Sequence, residues 1–389
     1  MSKRGQNEGS IYKRKDGRWT AVLNLGFQDG RRKRKTYYGE TRKQVQEQLS
    51  AAMRSQQLGL PIPSERENVG HLLQTWFQNV AVARVRPKTA QSYKWIIDQH
   101  LIPMIGHTRL AKLTASDIQS LLNDKRKTGL KPRTVQHIHA ILRIALGQAV
   151  KWDLVARNVA KLVDSPTVSR SEVNVLGPDA ARALLAAVEG HRLSALFSTC
   201  VSLGLRQGEA LGLRWEDLDL IRGTLDVRFS LQRIDGKLQL VEPKTNRSRR
   251  RLVLPAVCVA AFQRHRARQQ QERTVAGDGW HSTGLVFTSS LGTALDGPNV
   301  THQFQRLLKV AGLPRMRFHD LRHTCATLLL VQGIHPRLVM ELLGHSQIAL
   351  TMNTYTHVLP LMKKEVAERM NEILTAPDPD DGFPEKRLN

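Results

Sequence analysis

The chain has 389 residues, 41% of them hydrophobic, which suits two or three folded domains and excludes a disordered chain. Its net charge is +25, and Lys and Arg exceed Asp and Glu by nine in each of residues 1–60, 61–174 and 175–374 (14 against 5, 17 against 8, 26 against 17). The simplest partner is a large polyanion that every folded segment contacts. Nucleic acid fits better than a membrane surface, because no segment is a basic amphipathic anchor.

The cysteines and the N-terminus indicate the compartment. Cys200, Cys258 and Cys325 are isolated in apolar contexts without CxxC spacing, which predicts buried free thiols in a reducing compartment. The N-terminal MSKRGQNEGS lacks the apolar core of a signal peptide, and no apolar run approaches the length of a membrane span. We therefore expect a cytoplasmic protein with no membrane partner.

Residues 10–57 predict three β-strands followed by a helix. The runs SIYKR, RWTAVLNLGF and RRKRKTYYG are separated by Asp-Gly turns, and the second run alternates apolar with polar residues. Thr41 with Gln44 matches a capping box at the start of the helix. A sheet with this many basic residues can lie in a DNA groove. The alternative is a small basic domain whose charges are only hydrated. The DNA contacts expected from residues 1–60 are Arg18, Arg31, Arg32, Lys33, Arg34 and Lys35.

Residues 61–168 predict a helical bundle between two polar linkers. The expected helices are Val69–Val82, Pro87–Ile102, Thr114–Thr128 and Pro132–Lys151. Asp117 completes the first turn of the third helix. Lys88 and Arg133 are expected to contact DNA, and no enzyme motif occurs here.

Residues 169–374 mix helical and strand patterns. The expected helices are Pro178–Val188, Arg192–Leu203, one beginning at Gly208, 256–273 and 298–311, and the expected strands are Thr224–Gln232, Lys237–Val241 and Arg250–Leu254. The fold class is thus multidomain α+β: a small three-stranded sheet plus helix, an all-α bundle, and a mostly helical domain with a small antiparallel sheet. Residues 375–389 have the composition of a disordered tail.

The stretch from Arg317 to Tyr355 concentrates imidazole and cationic groups ahead of a lone tyrosine. His319 and Arg322 are three apart in FHDLRHTCATLLL, whose apolar positions predict a buried helix, and polar groups there need partners that an anion site supplies. His319 and His323 have the spacing of a zinc pair, but the adjacent glutamate of helical metal sites is missing. We expect no metal, and His323 is more simply a core histidine.

Two upstream residues can join this stretch at an anion. Arg206 follows a helix break at Gly204 and can present its planar fork to a phosphate, although a surface ion pair with Glu209 is more common. Lys244 falls between the second and third predicted strands, at the expected mouth of a hairpin. The arginines around it can be plain phosphate contacts: Arg247, Arg249, Arg250 and Arg251.

Two downstream residues also have plainer interpretations. His345 follows Gly344 and can be no more than a helix cap, and Tyr355 can be a packed aromatic with a hydrated hydroxyl. The order Arg, Lys, His-x-x-Arg, His, Tyr is nevertheless more specific than any single member. Its residues are Arg206, Lys244, His319, Arg322, His345 and Tyr355.

These residues lie in the blocks LGLRQGEALGLRWEDLDL, EPKTNRSRRRLVLP, FHDLRHTCATLLL and LLGHSQIALTMNTYTHV. In these blocks and their order the chain resembles the tyrosine recombinases, in particular phage and mobile-element integrases, over roughly residues 10–374. No departure occurs at the six positions. The resemblance implies an enzyme that cleaves and rejoins DNA through a 3′-phosphotyrosine, with the six residues catalytic and Tyr355 as the nucleophile.

The resemblance also implies the organisation and the partners. Residues 1–60 would bind arm-type DNA sites, residues 61–168 would form the core-binding domain, and residues 169–374 would form the catalytic domain. A homotetramer would act on double-stranded attachment sites without any cofactor, Arg247 and Arg249 would contact DNA, and Leu359–Leu374 would dock on a neighbouring subunit. A DNA-bending host factor and an excisionase are further candidate partners in a bacterial host.

Two alternatives share much of this pattern. A type IB topoisomerase-like enzyme uses the same groups to relax DNA, but the separate N-terminal unit and the candidate docking segment argue against it. A DNA-binding regulator on a decayed recombinase scaffold is disfavoured because all six groups are present.

Overall fold

A computed structural model describes residues 9–28, 31–57, 67–168, 174–243 and 249–344, with short pieces at 367–368, 370–371 and 374–375. At 27–28, 31–33, 51 and 55–57 it describes the backbone only. The chain divides into two compact units, Met1–Arg170 and Ser171–Asn389. The predicted C-terminal docking segment and tail lie almost wholly outside the described residues.

The first unit begins with an antiparallel sheet in the order β1 (Ser10–Lys13), β2 (Trp19–Gln28), β3 (Arg31–Gly39), followed by helix α1 (Arg42–Gln57). The Thr41 hydroxyl accepts a hydrogen bond from the Gln44 N–H at 3.2 Å, and the Gln44 side chain accepts one from the Glu40 N–H at 3.1 Å. The predicted capping box is therefore present. A separate hydrophobic core joins the sheet to the helix through Ala21, Leu23, Tyr37, Val45, Leu49 and Ala52.

The rest of the first unit is helical, as predicted. Its helices are α2 (Val69–Trp76), α3 (Val82–Arg84), α4 (Pro87–Ile96), α5 (Ile102–Ile105), α6 (Ala115–Lys127) and α7 (Pro132–Lys151), with 3₁₀ turns at Leu110–Lys112 and Val159–Leu162. Two predicted helices each contain a π-helical turn, Phe77–Ala81 and Ile97–Leu101, which the apolar period does not indicate. Thr114 and Asp117 cap α6 reciprocally.

The second unit is mostly helical with short strands. Its helices are α8 (Pro178–Ala187), α9 (Ser194–Leu203), α10 (Gln207–Leu211), α11 (Ala256–Ala276), α12 (Gly297–Val310), α13 (Asp320–Val331) and α14 (Pro336–Leu343), with 3₁₀ turns at Trp215–Asp217 and Gly277–Gly279. Its strands are β4 (Leu218–Asp219), β5 (Thr224–Val227), β6 (Ser230–Ile234), β7 (Lys237–Val241) and β8 (Arg250–Val253). Phe197, Phe304 and Phe318 pack together in its core, with ring centroids 5.5 to 6.1 Å apart.

The predicted strand Thr224–Gln232 is in fact two strands that belong to different sheets. The described strands form one sheet in the order β4-β5-β8 and a separate hairpin of β6 with β7. Between β5 and β6, Arg228 turns towards the buried carboxylate of Asp217 at 3.5 Å and Phe229 lies under the guanidinium of Arg214. The described strands β7 and β8, which precede and follow Lys244 in sequence, thus belong to different sheets, and Lys244 itself, predicted at the mouth of a hairpin, lies outside the described residues.

Other sequence-based expectations concern burial and membranes. Cys200, Cys258 and Cys325 are free and buried, as predicted. Among the described residues, no helix combines the length and the apolar character that crossing a bilayer requires.

Candidate active site

Arg206 lies at the junction between α9 and α10. Helix α9 ends at Gly204, which has a φ of +62°, and the α10 helix starts after Arg206. The Arg206 guanidinium pairs with Glu209, whose carboxylate also accepts from the Arg206 N–H at 3.1 Å. The side chain of Arg206 remains 39% exposed, but that of Glu209 is only 5% exposed. The pair is therefore not the exposed surface ion pair of the plainer interpretation.

A second arginine, Arg250 on β8, shares the same carboxylate. Its Nη2 donates to Glu209 Oε2 at 3.1 Å, its Nε donates to the carbonyl of Leu342 at 2.7 Å, and its side chain is 7% exposed. Burial alone would raise the pKa of Glu209, but Arg250 and Arg206 outweigh it and hold the pKa below its usual value. Sequence analysis treated Arg250 as one of several phosphate contacts, because a strand pattern does not indicate a partner 41 residues away.

Arg322 is buried in the first turns of α13. Its Nη1 donates to the carbonyl of Gly204 at 2.8 Å and its Nη2 to the carbonyl of Leu343 at 2.7 Å, and the residue is 2% exposed. It therefore joins the junction that carries Arg206 to the C-terminal end of α14. A methyl group at Gly204 would meet the side chain of Leu343 at 2.4 Å, so this close approach requires glycine.

His319 occupies the N-cap position of α13, without a capping hydrogen bond from its side chain, three residues before Arg322. Its ring meets that of His323 edge-to-face at a centroid distance of 5.0 Å. Although the residue as a whole is exposed to solvent, desolvation of the ring lowers its pKa to about 4, and nearby His323, Arg322 and Arg206 add to the effect. The imidazole is therefore neutral at pH 7 and able to accept a proton.

The turn before His319 is fixed by a buried carboxylate. Asp320 accepts a hydrogen bond from the Arg317 N–H at 2.8 Å and pairs with the Arg317 guanidinium. His323 is only half-buried, and burial lowers its pKa. Within the described part of the chain, no group of three or more His, Cys, Asp or Glu side chains could hold a metal ion.

The structure thus brings Arg206 together with His319 and Arg322, which follow it by more than a hundred residues in the sequence. Lys244, His345 and Tyr355 lie outside the described residues, as does Arg247. Gly344 closes α14 with a φ of +67°, so the carbonyls of Leu342 and Leu343, which Arg250 and Arg322 hold, lie two to three residues before His345.

An open groove of about 690 Å³ runs from His319 along α12. A second groove of about 580 Å³ continues it, and both are lined by His302, Gln305 and Arg315. The second groove adds Arg306 and Lys309, so the combined lining is strongly basic. Sequence analysis missed these residues, and the only available signal was the basic residues between the apolar positions of α12.

Of the expected DNA contacts of the first unit whose side chains are described, all but Lys35 are exposed. Arg18 and Arg34 are exposed, while Lys35, next in β3, faces the opposite side and lies near the Tyr37 ring. Lys88 is exposed at the start of α4, and Arg133 on α7 donates to Gln136 at 2.6 Å. In the second unit, Arg249 makes an exposed pair with Glu242. The backbones of Arg31, Arg32 and Lys33 lie in β3.

The partly exposed guanidinium of Arg206 lies beside a neutral imidazole, and a guanidinium carries directed donors that suit an anion with several oxygens, while Arg322 is buried behind them. Family models agree with this chemistry. Residues 174–361 match a model described as "Phage integrase family", and residues 68–126 match "Phage integrase, N-terminal SAM-like domain".

Individual proteins are similar over nearly the whole chain. A tyrosine recombinase XerC-like protein of Caldanaerobacter subterraneus is 30% identical over 89% of this chain and 93% of its own length. Among solved structures, the Tn1549 transposon integrase in complex with transposon right end DNA has a TM-score of 0.68 at 22% identity, covering 80% of this chain and all of that one. A lambda integrase tetramer bound to a Holliday junction has a TM-score of 0.55 at 18% identity, covering 89% of this chain and 97% of that one.

Proposed function

The chain belongs to the phage integrase family, the tyrosine recombinases, and on that premise we propose that Tyr355 is the nucleophile and that Arg206, Lys244, His319, Arg322 and His345 assist it. The protein is a site-specific DNA recombinase, a strand transferase that integrates mobile elements. The observation that carries the assignment of residues is the cluster in which Arg322 bonds to the Gly204 carbonyl beside Arg206, with His319 heading the same helix.

The proposed reaction breaks one phosphodiester and forms another. The Tyr355 oxygen attacks the phosphorus, the bond to the 5′-oxygen breaks, and Lys244 gives that oxygen a proton. A phenol has a pKa near 10, so its reactive form lies about 4 kcal/mol uphill at pH 7, and a proton acceptor is needed. His319 is neutral at pH 7 and so has a ring nitrogen that can take this proton, but its pKa of about 4 in the protein without DNA makes it a weak base, and the charge of the bound phosphate must raise that pKa for the transfer to be efficient.

The cationic side chains would stabilise charge on the non-bridging oxygens. Arg206 is 39% exposed and can be reached by a phosphate, whereas Arg322 is 2% exposed, so direct contact requires its surroundings to shift when DNA binds. His345 would add a hydrogen bond. Each donor held in place for the transition state is typically worth about 3 kcal/mol. Because the phosphotyrosine conserves the energy of the phosphodiester, the reaction requires neither ATP nor a metal.

The rest of the chain would bind DNA and neighbouring subunits. We assign residues 1–60 to arm-type sites, residues 61–168 to core sites, residues 169–374 to catalysis and residues 375–389 to a tail. The lambda integrase tetramer on a Holliday junction supports a homotetramer on double-stranded attachment sites, with Leu359–Leu374 docking between subunits. We place the reaction in the cytoplasm of a bacterial host, with a DNA-bending host factor and an excisionase as partners.

The basic groove along α12 supports DNA as the substrate. His302, Arg306, Lys309 and Arg315 line a path that ends at His319 and can hold the backbone next to the cleaved phosphate.

A two-duplex assay tests the proposed function. Two labelled duplexes that carry attachment sites should yield recombinant products, and a chain that ends at residue 358 should still bind DNA but give none. Relaxation of supercoiled DNA without recombinants would indicate a topoisomerase-like enzyme. Binding with neither product nor covalent adduct would indicate a regulator.

A further inference from the structure

Arg250 occupies an enclosed position that the reaction scheme above does not use. Its side chain is 7% exposed and contacts two separate parts of the site, the carboxylate of Glu209 and the carbonyl of Leu342. Arg251, the next residue, points the other way, with 70% of its side chain exposed and a two-bond pair with Asp226 at 2.8 and 2.9 Å. Neighbouring arginines on one strand thus have different environments.

Arg250 and Arg322 join the same two backbone segments by different routes. Arg322 connects the carbonyl of Gly204 directly to that of Leu343. Arg250 connects the carbonyl of Leu342 to Glu209, which in turn holds Arg206. The contacts close a ring that fixes the distance between the Arg206 junction and the end of α14.

We propose that Arg250 is a positioning residue for strand transfer, which sets the spacing between the Arg206 junction and the C-terminal end of α14. This rests on the proposed function, in which Arg206 acts on the non-bridging oxygens of the cleaved phosphate. A guanidinium suits the role because it donates in two directions from a rigid plane, whereas a lysine ammonium cannot span the same two acceptors with fixed geometry. A small misplacement of groups that bind a transition state can lower the rate by about 100-fold.

The experiment compares Arg250→Lys with Arg222→Ala, an exposed arginine outside the site, in the full chain. Each protein is mixed with a nicked suicide duplex, and the rate of covalent adduct formation is measured under saturating DNA. The duplex carries either the natural phosphate or a methylphosphonate at the cleaved position. The methyl group replaces one negatively charged non-bridging oxygen, so the rate of the reaction depends less on the exact position of a cationic side chain.

On the natural duplex, Arg250→Lys should form adduct about 100-fold more slowly than wild type, and Arg222→Ala should match wild type. On the methylphosphonate duplex, the rate of adduct formation by Arg250→Lys should be only about 10-fold or less below that of wild type. For each protein preparation, the ratio of the rate on the natural duplex to the rate on the methylphosphonate duplex does not depend on the folded fraction. The comparison therefore holds even if Arg250→Lys folds poorly.

Three results would overturn the proposal. If Arg250→Lys reacts as fast as Arg222→Ala, Arg250 positions nothing. If Arg250→Lys is equally slow on both duplexes, Arg250 supports the fold and not the phosphate site. If wild type forms no adduct on the natural duplex, the proposed function fails and this proposal fails with it, a result that is distinct from the other two.

Discussion

Replacing Glu209 by Gln removes the negative charge that two arginines share inside the second unit. The carboxylate is 5% exposed and the Arg250 side chain 7% exposed, so the variant leaves a buried cation without its counter-charge. Breaking a buried pair in this way costs about 3–5 kcal/mol. The contribution of Arg206, which is 39% exposed, is screened by solvent and adds about 0–1 kcal/mol.

We therefore expect Glu209→Gln to lower the free energy of unfolding by about 3 kcal/mol at pH 7. For a unit of this size, such a change lowers the melting temperature by about 6–12 °C. The assay is urea unfolding followed by tryptophan fluorescence. Asp226→Asn is the matched control, because its pair with Arg251 is largely exposed and should contribute less than about 1 kcal/mol.

The pH dependence of this effect has a definite sign. The arginines hold the pKa of Glu209 below its ordinary value of 4.5, so its stabilising effect is complete above that pH and is lost as the pH falls through the lower, folded-state pKa. The difference in free energy of unfolding between wild type and Glu209→Gln should stay constant from pH 8 to 5 and become smaller below pH 4.5. A difference under about 1 kcal/mol at pH 7 would contradict the conclusion that two arginines share this buried carboxylate.

Three further predictions test other parts of the site. In DNA-free protein, NMR should show His319 titrating near pH 4; because the unfolded chain binds this proton at the ordinary pKa of 6.5, the fold should lose stability as the pH falls from 6.5 towards 4, and titration near 6.5 would contradict the crowded, cationic surroundings. Gly204→Ala should destabilise the protein by about 1–3 kcal/mol more than Gly190→Ala in thermal unfolding, because both glycines have positive φ but only Gly204 lacks room for a methyl group. Equal losses of stability would argue against the close contact between Gly204 and Leu343. Lys309→Ala should reduce the slope of log K against log salt for DNA binding by about 1, while Arg222→Ala, 84% exposed at a distant turn, should not; equal slopes would exclude a phosphate contact in the α12 groove.

Local features of the fold could be predicted because they follow from residues close in sequence. Thr41 and Gln44 form the predicted capping box, and Pro132 starts α7, since a cap and a proline act within one turn. The break after Val227 could not be predicted, because it depends on Asp217 and Arg214 in another part of the chain.

The same distinction applies to the site. The motifs identified Arg206, His319 and Arg322 individually, but the shared carboxylate of Glu209 and the burial of Arg322 arise from contacts across 41 and 118 residues. Periodicity carries no information about such pairs. Arg250 was consequently missed as part of the site, although its residue type was noticed within a basic run.

The most direct test of the account is to identify the residue that becomes attached to DNA. A suicide duplex is incubated with wild type and with Tyr355→Phe, the covalent complexes are digested, and the modified peptide is sequenced by mass spectrometry. The account predicts a single adduct on Tyr355 in wild type, and normal DNA binding without adduct in Tyr355→Phe. An adduct on another residue, or any adduct in Tyr355→Phe, would contradict it.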